Sequence, residues 1–138
     1  MNRRPAVLPV VACLCLCLGA ARPAPTDEQI RQRLPGTWTS LEVQAAVTVR
    51  SRSVYGQDGF VVYSGQARGP GVELAYRVRS RWWVEGGALV AQVVETNQPD
   101  LLPAGSRKRD RVLAIDARTY RYRDEQGAVH EERRAPAR

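Results

Sequence analysis

Val72-Glu73-Leu74-Ala75-Tyr76-Arg77-Val78-Arg79-Ser80-Arg81-Trp82-Trp83 changes character at every second residue. Val72, Leu74, Tyr76, Val78, Ser80 and Trp82 fall on one side, while Glu73, Ala75, Arg77, Arg79, Arg81 and Trp83 fall on the other. A period of two belongs to the β-strand. One apolar face beside one charged face is what an antiparallel sheet with a single buried face requires. Reading outward, Glu85-Gly86-Gly87 supplies a turn into a second, aliphatic strand over 88–96. Upstream, Gly69-Pro70-Gly71 reverses the chain, and Asp58-Gly59 joins strands expected at 51–55 and 60–63. Downstream come a long loop over 97–107, strands at 111–116 and 119–123, the turn Asp124-Glu125-Gln126-Gly127, and a last strand at 128–133.

About seven or eight short strands at this spacing indicate an all-β, antiparallel meander, either a barrel or a sandwich. No helix-length pattern separates the strands, which excludes a βαβ parallel sheet. One short helix precedes them. Thr26-Asp27-Glu28-Gln29 has the spacing of a capping box, Asp27 and Glu28 suit the positive end of the helix dipole, and Pro35-Gly36 ends the helix. Ile30 and Leu34, four residues apart, share one face. A chain of 138 residues allows one domain, expected over 26–134.

The N-terminus carries a different pattern. Arg3 and Arg4 precede an apolar run, PAVLPVVACLCLCLGAA, which ends in small residues at Ala21. Basic residues, an apolar stretch and then small residues form the order of a secretory signal. The run holds two prolines and falls short of the ~20 apolar residues of a membrane-spanning helix. The expectation is a signal peptide over 1–21, a linker over 22–25, and a secreted or periplasmic product. Cys13, Cys15 and Cys17 all lie in this run, so its removal leaves no thiol chemistry. The alternative is lipoprotein processing. Val10-Val11-Ala12-Cys13 resembles a bacterial lipobox, which would make Cys13 the lipidation site of a membrane-tethered form.

Loss of Arg3 and Arg4 lowers the net charge from +7 to +5. Of 21 basic residues only Lys108 is lysine, a bias that points to base composition rather than to a binding surface. A motif for nucleic acid is lacking. Arg77, Arg79 and Arg81, flanked by Arg50 and Arg52, could meet an anionic surface. Their commoner role is a solvated face partnered across strands by Glu73, Glu85 and Glu95.

Leu34-Pro35-Gly36-Thr37-Trp38-Thr39 after a short helix resembles the opening of small bacterial lipocalin-like proteins. Three hairpin segments follow the same layout: Tyr55-Gly56-Gln57-Asp58-Gly59-Phe60, Trp82-Trp83-Val84-Glu85-Gly86-Gly87-Ala88-Leu89 and Tyr120-Arg121-Tyr122-Arg123-Asp124-Glu125-Gln126-Gly127. The resemblance covers about residues 26–133. It implies a meander barrel whose closed end is plugged by Trp38, with Gly36 giving the backbone room and a late-strand arginine over the indole. Arg121, Arg123 and Arg133 are the candidates for that arginine.

Catalytic constellations are not legible. His130 is the only histidine, which rules out a histidine-pair metal site within one chain, and it is expected on an exposed strand face. A G-x-S-x-G elbow and a phosphate-binding glycine loop are both missing. Neighbouring carboxylates such as Glu131 and Glu132 point to opposite faces of a strand. No cofactor is implied, and the expectation is a non-enzymatic module. A ligand site for a small hydrophobic or amphipathic molecule would draw on Trp82, Trp83, Tyr55, Tyr63 and Tyr76. The other reading is a structural or protein-interaction domain of the cell envelope, with a filled core.

Overall fold

A computed structural model of the protein describes residues 22–136. The expected signal segment and Cys13 lie outside the described residues. A helix, α1 (Asp27–Arg33), is followed by eight strands: β1 (Gly36–Gln44), β2 (Val47–Tyr55), β3 (Phe60–Gly69), β4 (Val72–Glu85), β5 (Ala88–Thr96), β6 (Arg107–Ile115), β7 (Thr119–Arg123) and β8 (Val129–Arg134). Spatial order follows chain order, every neighbouring pair is antiparallel, and β8 returns to β1 to close a barrel. The inward row of β4 is the one given by alternation, with Val78, Ser80 and Val84 buried along it.

Three strands differ from the sequence reading. β2 and β3 run well beyond 51–55 and 60–63, pairing from Thr48↔Arg68 to Tyr55↔Val61. β6 starts at Arg107, the expected end of the loop, and takes in residues 108–110, which the sequence reading assigned to no element. These four residues are all charged and offer no apolar alternation. Their inward positions, Lys108 and Asp110, satisfy each other through an ion pair at 3.2 Å.

One end of the barrel is closed by α1. The capping box forms as spaced: Thr26 Oγ1 accepts from Gln29 N–H at 3.2 Å, and Gln29 Oε1 accepts from Thr26 N–H at 3.0 Å. Asp27 then reaches across to accept from the Gly86 and Gly87 amides at 3.1 and 2.7 Å, tying the helix to the β4–β5 turn. Ile30 and Leu34 are fully buried with Trp38, Val61, Leu89, Val112 and Tyr120. Trp38 donates its indole N–H to the Leu34 carbonyl at 2.8 Å.

The arginine over Trp38 is Arg134, 4.2 Å from the ring centroid, and not Arg121, Arg123 or Arg133. Strand parity decides this. On β8 the buried Glu132 and the residue two further on face inward, which leaves Arg133 outside. On β7 the inward places belong to Tyr120 and Tyr122. Gly36, at φ +130°, gives the room, because a Cβ there would collide with the Arg134 guanidinium.

Outside the barrel, Arg79 and Arg81 lie over the Phe60 ring at 3.9 and 5.3 Å. Of the three glutamates expected beside the arginine row, only Glu95 stands opposite one of its members, Arg79. Glu73 faces Arg68, and Glu85 pairs with Arg109 at 3.1 Å. The register of longer strands, not nearness in sequence, sets these partners.

Candidate functional site

Away from the helix the barrel is not filled. The inward positions on this half include Ser40, Ser51, Ser53, Ser80 and Ala91, whose side chains are too short to meet across the lumen. A cavity of about 470 Å³ results, floored by the aromatic core and open at the far end. The β5–β6 loop supplies Leu101, Leu102 and Pro103 to its mouth, where Leu101 and Leu102 remain largely exposed.

Five aromatic residues were expected to form a pocket, and the structure divides them. Tyr63 and Tyr76 line the cavity. Tyr76 lies across Gly65, which leaves room for its ring, and its hydroxyl is 2.9 Å from Ser51 Oγ. Tyr55 sits one layer lower in the core, 3.2 Å hydroxyl to hydroxyl from Tyr63. Trp82 packs edge-on to Tyr55 at 5.8 Å and donates its indole N–H to the Gly56 carbonyl at 3.1 Å, so it belongs to the closed end. Trp83 points outward beneath Arg107, at 5.4 Å.

The cavity gains instead residues that alternation had not assigned to it: Tyr122, His130, Lys108 and Glu132. His130 is therefore not an exposed surface residue. Its Nδ1 is 2.7 Å from Glu42 Oε1 and its Nε2 is 2.7 Å from Asp124 Oδ2. Its ring stacks on Tyr122 at 5.1 Å, and Tyr122 continues through Tyr120 to Trp38 in an aromatic column. Burial disfavours the imidazolium, but the Asp124 and Glu42 carboxylates outweigh it and raise the pKa. His130 in turn holds Asp124 below the usual carboxylate range.

Lys108 is half open to the cavity, with its Nζ 4.2 Å from the Tyr63 ring centroid and 5.9 Å from that of Tyr122. Burial works against its charge, yet the Asp110 carboxylate at 3.2 Å more than compensates, so it stays cationic. Burial also pushes the phenols of Tyr55, Tyr63 and Tyr122 up, keeping them neutral. Glu132 is 5% exposed. One of its oxygens accepts from Ser53 Oγ at 3.3 Å, and the other, Oε2, is buried without a partner among the described residues, as is the Tyr120 hydroxyl. Burial raises the Glu132 carboxyl above its ordinary value, with Lys108 and Ser53 partly opposing.

This inward ionisable cluster has a signal in the sequence that only register makes readable. With Tyr120 and Tyr122 inward, the turn at 124–127 sets Tyr122 opposite His130 and Tyr120 opposite Glu132. Both imidazole nitrogens are already engaged by carboxylates. What the cluster offers a molecule in the cavity is charge and hydrogen bonding from Glu132 and Lys108. Known family models and characterised proteins give no match to this chain.

Proposed function

We propose that this domain is a lipocalin-like binding module, exported from the cytoplasm, that holds one small amphipathic molecule inside the barrel without transforming it. The observation that carries this reading is the cavity. An eight-stranded barrel is just wide enough to be filled by side chains or to hold a single small ligand. Here the helix half is filled and the other half encloses about 470 Å³. That volume falls within the roughly 300–1,000 Å³ of small-molecule sites. Val78, Ala91, Val93 and the leucines at the mouth would take an apolar body, and the polar wall of β6 and β8 a head group. The sequence of residues 1–21, with its basic start, apolar run and small residues, supports the export route.

The test is uptake of N-phenyl-1-naphthylamine, followed by its fluorescence, in the native protein and in Val78→Trp. Val78 is buried on the cavity wall, so an indole there occupies the ligand's space. The native protein is expected to bind the probe and Val78→Trp to lose at least about tenfold in affinity. The fold of the variant is checked by its circular dichroism. Equal uptake by both folded proteins, or none by either, contradicts the reading.

A further inference from the structure

Glu42, Glu132, Lys108 and His130 face the cavity, and Asp110 and Asp124 stand behind it as partners of Lys108 and His130. Two other arginines on its border look elsewhere. Arg107 stands over the outward ring of Trp83, and Arg52 is an exposed residue between the inward Ser51 and Ser53. Arg134, also inward, is spent on Trp38 at the closed end. Each cavity cation is already matched. His130 lies between two carboxylates, and Lys108 is paired with Asp110 while its ammonium rests against the rings of Tyr63 and Tyr122. Glu132 is different. Its Oε2 is a buried acceptor lacking a partner among the described residues, on a side chain that lines the cavity.

A buried acceptor without a donor is unfavourable, and a molecule that supplies the donor gains the difference. A cationic donor gains most, because charge-assisted hydrogen bonds are the stronger class. Tyrosine rings on the same walls present negative faces that suit a cation. We infer that the cavity selects amphipathic amines, with a protonated amine head donating to Glu132 Oε2 and the apolar tail directed toward Leu101 and Leu102. This rests on the reading of the cavity as a ligand site and names the chemistry that the site accepts. An anionic head would meet Lys108 already neutralised by Asp110, beside an uncompensated carboxyl.

Isothermal titration at neutral pH with octylamine, 1-octanol and octanoate tests the inference on the native protein and on Glu132→Gln. Octylammonium is expected to bind at least about tenfold more tightly than octanol, and octanoate more weakly than either. Glu132→Gln is expected to bring the amine level with the alcohol and to leave the alcohol unchanged. A second measurement needs no variant: the side-chain carboxyl ¹³C resonance of Glu132 should shift on saturation with octylamine and much less with octanol. Equal affinity for all three compounds, preference for octanoate, an amine preference that survives in Glu132→Gln, or an unmoved Glu132 resonance overturns the amine assignment and leaves cavity binding standing. No binding of any of the three overturns the ligand-site reading itself.

Discussion

Arg134 does more than cover an aromatic ring. Its Nε donates to the Ala117 carbonyl at 3.0 Å, its Nη1 to Pro35 at 2.9 Å and its Nη2 to Arg33 at 2.5 Å. One planar fork thus ties the end of β8 to the β6–β7 turn and to the last turn of α1, whose free carbonyls need donors. Gly36 is the condition for this, since any side chain there meets the guanidinium and strains a backbone at φ +130°. Gly36→Ala is expected to lower stability by about 2–4 kcal/mol, read by urea denaturation, through strain and the loss of Arg134 contacts. A cost below about 0.5 kcal/mol would remove Arg134 from the closure. The roles of Gly36 and Trp38 were legible in the sequence, because a tight approach needs glycine and a plug needs a large ring. The arginine was not. Five of the last eighteen residues are arginine, and only the inward parity of Glu132 separates Arg134 from the others.

Among the elements, α1 and β4 were readable because each carries its own signal: caps and an i, i+4 apolar pair in the helix, a long period-two run in the strand. β6 and β8 were not, since their inward positions hold Lys108, Asp110, His130 and Glu132 rather than aliphatic residues. β6 also loses its alternation at a bulge, where Val112 pairs with Tyr122 and Ala114 with Arg121. Val112 and Ile115 are both buried as a consequence, three residues apart. The strands that carry the site's polar groups are thus the ones whose pattern departs from a simple core. The β5–β6 loop belongs to the site in another way. It rests on main-chain hydrogen bonds, including Gly105 N–H to Val93 O at 2.8 Å and Leu102 N–H to Gln98 O at 2.8 Å, and leaves its leucines exposed. The double change Leu101→Ser, Leu102→Ser is expected to weaken uptake of N-phenyl-1-naphthylamine several-fold while shifting the melting temperature by less than about 2 °C, since exposed side chains add little to stability. Unchanged uptake would take the loop out of the site.

At the scale of the whole barrel, closure is uneven. β1 and β2 pair over nine positions, whereas β1 and β8 pair only at Trp38↔Arg134 and Thr39↔Arg133. Continuing that register places Glu42 opposite His130, and there the side chains bridge what the backbones do not. Near the cavity mouth the seam is therefore held by an imidazole clasped between Glu42 and Asp124. The His130 pKa is raised from 6.5 on folding, so its stabilisation is fully present below that value and is lost as pH rises through the folded-state pKa. The melting temperature of the native protein is expected to decline across that window, and that of His130→Gln to stay flatter there. Parallel pH profiles would show that the clasp does not hold the seam. Strand count and turn spacing narrowed the fold to an antiparallel barrel or sandwich, and the helix followed by Gly36-Thr37-Trp38 pointed to the barrel that the structure shows. Its half-empty interior was not, because volume depends on which short side chains face one another across the lumen.

Intermolecular nuclear Overhauser effects between bound N-phenyl-1-naphthylamine and the side chains of the protein give the most direct measurement of where a ligand sits. A molecule inside the barrel is expected to show contacts to the methyl groups of Val78, Ala91 and Val93 and to the rings of Tyr63 and Tyr76. Contacts confined to exposed residues such as Val54 and Val72 would contradict the account and make the barrel a scaffold for its outer surface.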